Sequence, residues 1–273
     1  MDSLIKFIVK LTDMTQKDFG MVSIIMPSFN ASSFIAESID SILHQTYTNW
    51  ELLITDDCST DNTQEIVETY VAKDSRIKYF RFTENQGAGA ARNHAIEQAK
   101  GRFIAFCDSD DCWKPEKLAH QLKFMAEHRV GVCFSSYIKC DEAGEELGMV
   151  VAYRKITYAD IVRNDYIGFL TLIYDTAEIG KIYMPVLRKR QDWAMKILLL
   201  QKIPVAYGLL EPLAYYRIRT DSLSRNKKKL VKYNVQVYSS VLHYNVIRAW
   251  CMFLFVFMPH YFAKALRLKI INR

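Results

Sequence analysis

The chain has 273 residues, of which 50% are hydrophobic and 24% charged, and its formal net charge is +6 at pH 7. This balance predicts a folded protein with a sizeable core and excludes wholesale disorder. Much of the positive charge lies in 217–232 and 264–273, which favours contact with an anionic surface over general nucleic-acid binding. The six cysteines form no C-x-x-C pair, as expected of a reduced, cytosolic chain.

Residues 1–20 form a lead-in without the charge order or cleavage site of a signal peptide. Its apolar residues have helical spacing, so an amphipathic binding segment and a lead-in without such a role both fit. Beyond it, short apolar runs alternate with amphipathic helical patterns, which predicts an α/β fold with a mostly parallel sheet and right-handed crossovers. The predicted strands cover 22–26, 50–55, 77–82, 103–107, 130–135 and 168–174.

Several predicted helices have recognisable starts. Ser32 or Ser33 can cap the helix after the first strand, and Asp61 can cap the next one. The Gly-rich segment 87–89 opens a third helix but is not G-x-G-x-x-G, so a tight turn explains it as well as a phosphate-binding loop does. Arg92, one turn into that helix, suits a diphosphate.

Polar side chains follow several predicted strands at the point where each strand ends. Because the carboxyl ends of parallel strands meet at one edge of a sheet, we expect these groups to line one crevice. The three carboxylates within 108–111 repel one another, and a divalent cation such as Mg²⁺ or Mn²⁺ would offset their charge. The alternatives are an acidic loop whose last Asp caps the next helix, and a phosphatase of the haloacid dehalogenase type. The strand-end residues are Asn30, Asp56, Asp57, Asp108, Asp110 and Asp111.

Three blocks of the sequence resemble, in order and spacing, the family-2 glycosyltransferases of the GT-A fold. They lie at 22–63, 84–96 and 101–111. The resemblance implies a Rossmann-like GT-A domain at 21–225, with a nucleotide-sugar half at 21–135 and an acceptor half at 136–225. It also implies an inverting, metal-dependent transferase that uses a nucleotide-diphosphosugar, with Mn²⁺ or Mg²⁺ as cofactor.

Individual site residues follow from the same resemblance. Phe29 stands where the family often has Tyr and would stack near a uracil, and Asp57 would accept a hydrogen bond from the uracil N–H. Asp108, Asp110 and Asp111 match the DxD-type motif that holds the ribose and the metal ion, with Asp110 and Asp111 as the metal ligands. The remaining implied nucleotide-binding residues are Pro27, Glu37, Asp56, Arg92 and Arg219.

Asp192, which precedes an apolar helical pattern at 194–200, has two interpretations. From the residues alone, capping of that helix is favoured. The family places its catalytic carboxylate in a Gln-Asp-Trp-like block, so the resemblance implies that Asp192 is the general base for the attacking hydroxyl. Arg219 stands in place of the His usual in the family's Tyr-Arg-x-His block, and it can still clamp a phosphate.

Details of the second half are similar to transferases of teichuronic acid, capsule or O-antigen repeat units. This likeness implies a UDP-hexose as donor and a saccharide on a polyprenyl diphosphate as acceptor, with no nucleic-acid partner. A nucleotide-sugar-binding scaffold that has lost catalysis is one alternative. A nucleotidyltransferase is another, but it would typically show a Gly-rich, basic signature after the first strand, where this chain has PSFNASS.

The tail at 226–273 is predicted to be helical and to associate with a membrane. Its apolar run of ten residues at 249–258 is too short to span a bilayer, for which about 20 residues are needed. Trp250 and the trailing cations suit a helix in the membrane interface, whereas docking on the catalytic domain or on a second copy is the alternative. We therefore expect a cytoplasmic protein, peripheral on the inner face of the cell membrane.

Overall fold

The computed structural model describes residues 18–219 and 227–271, so most of the predicted lead-in lies outside the described residues. Ten strands in these ranges form one mixed sheet. The strands are β1 (Val22–Ser28), β2 (Trp50–Asp56), β3 (Ile77–Arg81), β4 (Phe103–Phe106), β5 (Cys112–Trp113), β6 (Val132–Cys140), β7 (Glu146–Val150), β8 (Lys155–Thr157), β9 (Ile173–Asp175) and β10 (Val205–Arg217).

Helices flank the sheet and continue beyond it towards the C-terminus. They are α1 (Ile35–Leu43), α2 (Thr63–Val71), α3 (Ala88–Gln98), α4 (Lys117–His128), α5 (Tyr158–Arg163), α6 (Thr176–Ile179), α7 (Gln191–Lys202), α8 (Lys227–Val241), α9 (Val246–Cys251) and α10 (Met258–Ile271). A 3-10 turn covers Phe169–Thr171, and a π-helical segment, Met252–Phe257, joins α9 to α10 without a break.

The first four strands lie in the order β3-β2-β1-β4 and are all parallel, which confirms that part of the sequence prediction. Every residue of β1 and β2 is buried, as expected of strands covered by helices on both faces. Ile24 and Ile25 belong to different hydrophobic clusters, one on each face of the sheet. The parallel direction brings the carboxyl ends of β1, β2 and β4 to one edge.

The second half of the sheet is mixed. Strand β9 lies between β4 and β6 and is antiparallel to both. It begins at Ile173, later than predicted, because the residues before it form the 3-10 turn. The long strand β10 runs parallel to β6 and pairs with β5 and β8 in the antiparallel sense. Its last residues therefore reach the edge at which β4 ends.

The predicted caps of the first two helices were wrong. Phe34 is the N-cap residue of α1 and Asn62 that of α2, and neither makes a side-chain capping bond. Asp61 instead accepts hydrogen bonds from the backbone N–H groups of Ser32 at 3.0 Å and Thr63 at 3.1 Å. It thereby ties the loop after β1 to the start of α2.

The C-terminal helices pack against the α/β domain through one face. Tyr238, Ala249, Phe253 and Phe257 are buried in the same hydrophobic cluster as Trp193 of α7. The outer face of the helix exposes a row of large apolar side chains. They are Val246, Ile247, Trp250, Leu254, Phe255, Phe262 and Leu266. The boundary predicted at residue 226 remains a prediction, since the helices on its two sides share a core.

The helix Val246–Arg267 has 22 residues and is long and apolar enough, by length and composition only, to cross a membrane. The prediction that this segment is too short was therefore wrong, because the helix continues past Pro259. The backbone N–H of Met258 bonds to the carbonyl of Phe253, five residues back, which is the hydrogen bond of a π-helix. Asn164 donates to the carbonyl of Phe257 at 3.4 Å and fixes the helix to the domain.

Candidate active site

The loop after β1 forms one wall of the candidate site. Pro27 is buried within the strand, whereas Phe29, directly after it, is 47% exposed. Asn30 turns the chain with a φ of 47°, and its side-chain oxygen accepts the backbone N–H of Thr60 at 2.8 Å. The aromatic ring of Phe29 is thus held at the open end of the sheet, where the predicted uracil site lies.

Asp56 ends β2 and is fully buried. Its carboxylate accepts hydrogen bonds from the hydroxyls of Ser59 at 2.5 Å and Tyr79 at 2.7 Å. In the structure it braces the loop after β2 against the neighbouring strand β3. Its direct contact with a nucleotide stays a prediction.

Asp57, the next residue, organises the start of α3. Its two carboxylate oxygens accept the backbone N–H groups of Gln86 at 2.6 Å and Gly87 at 2.8 Å. Gly87 has a φ of 90°, a backbone conformation that favours glycine. Asp57 therefore fixes the entry to the helix that carries Arg92.

The DxD-type motif follows β4, and two of its carboxylates face arginines. Arg92 lies 2.5 Å from the Asp108 carboxylate, and the buried Nε of Arg92 has no hydrogen-bond partner among the described residues. Arg219 lies 3.6 Å from the Asp110 carboxylate. Cations and carboxylates thus alternate along the crevice, an arrangement that suits a ligand with both phosphate groups and a bound metal ion.

Asp111, the last carboxylate of the motif, points inward. It is 2% exposed and accepts the backbone N–H of Arg217 at 3.1 Å. This bond ties the end of β10 to the motif. The role of Asp111 as a metal ligand stays a prediction. In the structure its carboxylate bonds to the Arg217 backbone.

Burial and crowding raise the pKa values of Asp110 and Asp111. Burial and the Asp108 charge raise the pKa of Asp110, and burial with the Asp110 and Asp108 charges raises that of Asp111 well above its usual range. A divalent cation nearby would offset this repulsion, so the donor chemistry fits a metal ion. Among the described residues, no three His, Cys, Asp or Glu side chains are already grouped to hold a metal. A bound ion would therefore take further ligands from a diphosphate and water.

Arg217 is a central residue of the site that the sequence analysis did not single out. Its side chain donates to the Glu37 carboxylate at 2.5 Å, and to the carbonyls of Asp110 at 3.0 Å and Glu142 at 2.9 Å. Glu37, at 62% side-chain exposure, is thereby held at the mouth of the crevice. The Tyr-Arg pair before Arg219 was the available signal for this position.

Asp192 lies in the first turn of α7. Arg190, with a φ of 65°, is the N-cap residue, so the capping interpretation of Asp192 was wrong. The buried Nζ of Lys196, which the sequence analysis also missed, lies 3.3 Å from the Asp192 carboxylate and 2.7 Å from that of Asp165. Burial raises the pKa of Asp192, but the charges of Lys196 and Arg190 outweigh this effect and lower it to about 2. Asp192 is therefore ionised at neutral pH.

Asp192 and the motif share one crevice. The Arg92 guanidinium is near enough to help lower the pKa of Asp192. Gln191, the neighbour of Asp192, packs on Gly89 so closely that a Cβ there would lie 2.4 Å from its amide nitrogen. The ring of Phe169 lies 5.3 Å from the Arg92 guanidinium carbon. The structure thus brings the predicted acceptor half of the chain against the start of α3.

Residues 23–175 match the family model described as glycosyl transferase family 2. The chain belongs to this family. As a family 2 glycosyltransferase it is 42% identical over 233 residues to TuaG of Bacillus subtilis, described as a teichuronic acid biosynthesis glycosyltransferase; the match covers 85% of this chain and 92% of TuaG. It is 39% identical over 215 residues to WfgD of Escherichia coli, a UDP-Glc:alpha-D-GlcNAc-diphosphoundecaprenol beta-1,3-glucosyltransferase, with 79% and 84% covered.

Solved structures support the fold of this family 2 glycosyltransferase. S. aureus TarS 1–349 in complex with UDP-GlcNAc matches with a TM-score of 0.69 at 24% identity, over 89% of this chain and 73% of that one. The mannosyltransferase PcManGT of Pyrobaculum calidifontis, in complex with GDP-Man and Mn²⁺, matches with a TM-score of 0.62 at 15% identity, over 98% and 83%. The predicted GT-A fold, with a C-terminal helical segment, is confirmed.

Proposed function

We propose that this family 2 glycosyltransferase moves a hexose from a UDP-sugar to a saccharide on a polyprenyl diphosphate, with inversion, during synthesis of a bacterial surface polysaccharide. The observation that carries this proposal is the ionised Asp192 in the same crevice as the Arg92–Asp108 pair. Inverting transfer needs positive charge for the leaving diphosphate and a base for the attacking hydroxyl. The crevice offers both.

The substrate classes rest on the relatives. The name of WfgD specifies a UDP-Glc donor and an acceptor on diphosphoundecaprenol, and that of TuaG specifies teichuronic acid biosynthesis. Identities of 39% and 42% over most of both chains support the same substrate classes here. A UDP-hexose and a lipid-linked saccharide are therefore the first donor and acceptor to test.

On the donor side, Phe29 and Asp57 would bind the uracil, and Arg92 and Arg219 the diphosphate. The Nε of Arg92, which has no hydrogen-bond partner in the described part of the chain, supports this role, because a phosphate oxygen would satisfy it. Asp110, with Asp108 or Asp111, would hold Mn²⁺ or Mg²⁺, which as a Lewis acid would stabilise the charge of the leaving diphosphate.

On the acceptor side, Asp192 would accept the proton of the attacking hydroxyl. Lys196 keeps this carboxylate ionised and fixes its position from beneath, through a side chain that is 1% exposed. The fixed carboxylate orients the hydroxyl for attack on the face opposite the leaving diphosphate. Asp192 is therefore the residue whose loss should reduce transfer most.

The outer face of α9 and α10 supports the predicted place of the protein at the membrane surface. Ile247 is 78% exposed, Phe255 76% and Phe262 62%, and a patch of such large apolar side chains on a protein surface marks a site of interaction with a membrane or a partner. The opposite face is held in the domain core, so the helix would lie along the bilayer rather than cross it. Such a position would place the enzyme where a lipid-linked acceptor resides.

Donor hydrolysis tests the proposal. Purified protein with Mn²⁺ and a panel of nucleotide-sugars should release a nucleoside diphosphate slowly from one UDP-hexose, and a chelator should abolish the release. Asp192→Asn should reduce transfer to lipid-linked acceptor by about 100-fold or more, since a general base contributes that much. Glu127→Gln, an equal charge change at the exposed end of α4, is the control. Stabilisation by UDP without turnover of any donor, even with acceptor present, would instead favour a nucleotide-sugar-binding protein.

A further inference from the structure

A cleft of about 470 Å³ lies between the loop that leads into α7 and the helices α8 and α9. Arg188 and Lys232 line it from the two sides, together with Tyr233, Gln236 and Trp250. None of the described lining residues is acidic. The cleft is distinct from the crevice at the strand ends, which the nucleotide-binding residues line.

The charges of the cleft are available for a ligand. Arg188 and Lys232 are both exposed, and neither forms an ion pair with a carboxylate of the described chain. By contrast, Arg92 and Arg217 in the donor crevice each contact a carboxylate at 2.5 Å. A guanidinium and an ammonium that face one another across a cleft suit the several oxygens of a diphosphate.

The cleft is connected to the candidate base through the loop before α7. Arg188 lies four residues before Asp192 in the chain. The side chain of Gln191 donates to the carbonyl of Leu187, so the loop with Arg188 is fixed to the first turn of α7. A ligand in the cleft would therefore lie on the α7 side of the site, next to the loop that leads to Asp192.

Trp250 connects the cleft to the apolar face of the C-terminal helix. It lines the cleft and is 43% exposed, and Ile247 and Leu254, one turn to either side, are exposed too. A charged cleft that opens onto an apolar surface matches an amphipathic ligand with a diphosphate at one end and a hydrocarbon chain at the other. A free nucleotide would leave the apolar surface unused.

We propose that the cleft of Arg188, Lys232 and Trp250 binds the diphosphate of the lipid-linked acceptor. The polyprenyl chain then lies along the exposed face of α9, and the saccharide extends towards Asp192. This inference rests on the proposed function, since it names where that acceptor binds. It assigns Arg188 and Lys232 to acceptor binding rather than to donor binding.

Farnesyl diphosphate, a short polyprenyl diphosphate, is the probe for this site. Its binding to the full chain is measured by calorimetry, with UDP binding in the presence of Mn²⁺ measured on the same samples. Arg188→Gln with Lys232→Gln should weaken farnesyl diphosphate binding by about tenfold or more, because two charge-assisted contacts are lost. Retained UDP binding shows that the donor half is intact. Arg248→Gln, at an exposed cation stacked on Tyr244 outside the cleft, should bind the probe as the wild type does.

Three outcomes would overturn the assignment. The double variant could bind farnesyl diphosphate as tightly as the wild type, or Arg248→Gln could lose as much affinity as the double variant. Alternatively, the double variant could lose binding to phosphatidylglycerol vesicles while it retains farnesyl diphosphate, which would make the cleft a site for phospholipid headgroups. Donor hydrolysis distinguishes a failure of this assignment from a failure of the proposed function. If the protein hydrolyses a UDP-hexose but gives any of these three outcomes, only the acceptor-site assignment is wrong.

Discussion

Two regions of the molecule hold carboxylates in opposite ways. At the end of β4 the carboxylates crowd one another, and burial with the neighbouring charges raises the pKa values of Asp110 and Asp111. At the start of α7 burial acts in the same direction on Asp192, but the nearby cations Lys196, Arg190 and Arg92 together outweigh it, and the pKa falls to about 2. The first region is electrostatically incomplete without a bound cation, whereas the second supplies its own counter-charge. This difference is the one expected between the proposed metal-binding donor site and the proposed base.

The strongest test of this separation removes packing beneath the base. Phe257 is 3% exposed, and its ring centroid lies 5.2 Å from that of Trp193, the neighbour of Asp192. Phe257→Ala should lower the free energy of unfolding by about 3–5 kcal/mol through the cavity it leaves. Below the unfolding transition UDP binding should persist while transfer falls, which calorimetry and a transfer assay measure on the same samples. Phe255→Ala, at a side chain 76% exposed, is the control. Equal loss of UDP binding and transfer would show that the two regions are one energetic unit.

Lys196→Met should remove the counter-charge itself. Two carboxylates would remain without their cation, at a cost of about 3 kcal/mol, the low end for a broken buried pair because the Asp192 side chain is 35% exposed. A carboxylate with a depressed pKa stabilises the fold above its unfolded pKa, about 4, and that contribution is lost as the pH falls towards 2. Lys196→Met should not lose stability in this way as the pH falls from about 4 towards 2. The acid limb of its kcat/KM profile should move to higher pH.

Urea unfolding from pH 3 to pH 7 and the pH–rate profile check this expectation. Lys123→Met, at a partly exposed side chain of α4 that pairs with Glu127, is the matched control, and its acid limb should coincide with that of the wild type. An unshifted acid limb in Lys196→Met, with the fold intact, would mean that Lys196 does not set the ionisation of Asp192.

Asp110→Asn should have the opposite signature in the first region. Because the pKa of Asp110 is raised in the fold, its ionisation opposes folding as the pH rises through that value. The variant should therefore be at least as stable as the wild type at pH 8 without ligand. UDP with Mn²⁺ at 100 times the Kd stabilises a protein that binds them by about 2.7 kcal/mol. Asp110→Asn should not show this stabilisation. Thermal unfolding with and without both ligands measures it. If UDP and Mn²⁺ stabilise Asp110→Asn as much as the wild type, Asp110 is not a ligand of the proposed metal site.

The smallest expected effect concerns the outer face of the C-terminal helix. Phe255→Ser with Phe262→Ser should change the free energy of unfolding by no more than about 0.5 kcal/mol, since both side chains are exposed. Partitioning onto phosphatidylglycerol vesicles should fall by about tenfold, because two apolar side chains no longer enter the interface. Co-sedimentation measures it. Leu147→Ser, at an exposed apolar side chain on β7, should partition normally.

The first region could be predicted from the sequence because its chemistry follows local patterns. Strand β4 is a short apolar run, the carboxylates come directly after it, and parallel strands place such groups at one edge. The sequence did not predict which carboxylates are buried. Asp56 and Asp111 point inward because they bond to Tyr79 and Arg217, which are distant in sequence.

The second region was harder to predict because its contacts are set by tertiary packing. Lys196 was visible as a cation one turn after Asp192, but its pairing with Asp165 needs the loop before the 3-10 turn to lie beneath α7. Strand β9 enters the sheet between β4 and β6, a position that no local pattern specifies. The length of the C-terminal helix was missed because Pro259 normally ends a helix, and the π-helical turn before it is not encoded in hydrophobic periodicity.

The π-helical segment Met252–Phe257 also sets the rotational phase of everything that follows it. Each residue of an α-helix advances the side-chain direction by about 100°, so one residue fewer in this segment would turn α10 by about that angle relative to α9. Lys264, which now donates to the carbonyl of Asp165, would swing away from the domain, and Phe262 and Leu266 would leave the side on which Trp250 lies. A single wide turn thus aligns two half-helices into one continuous apolar stripe.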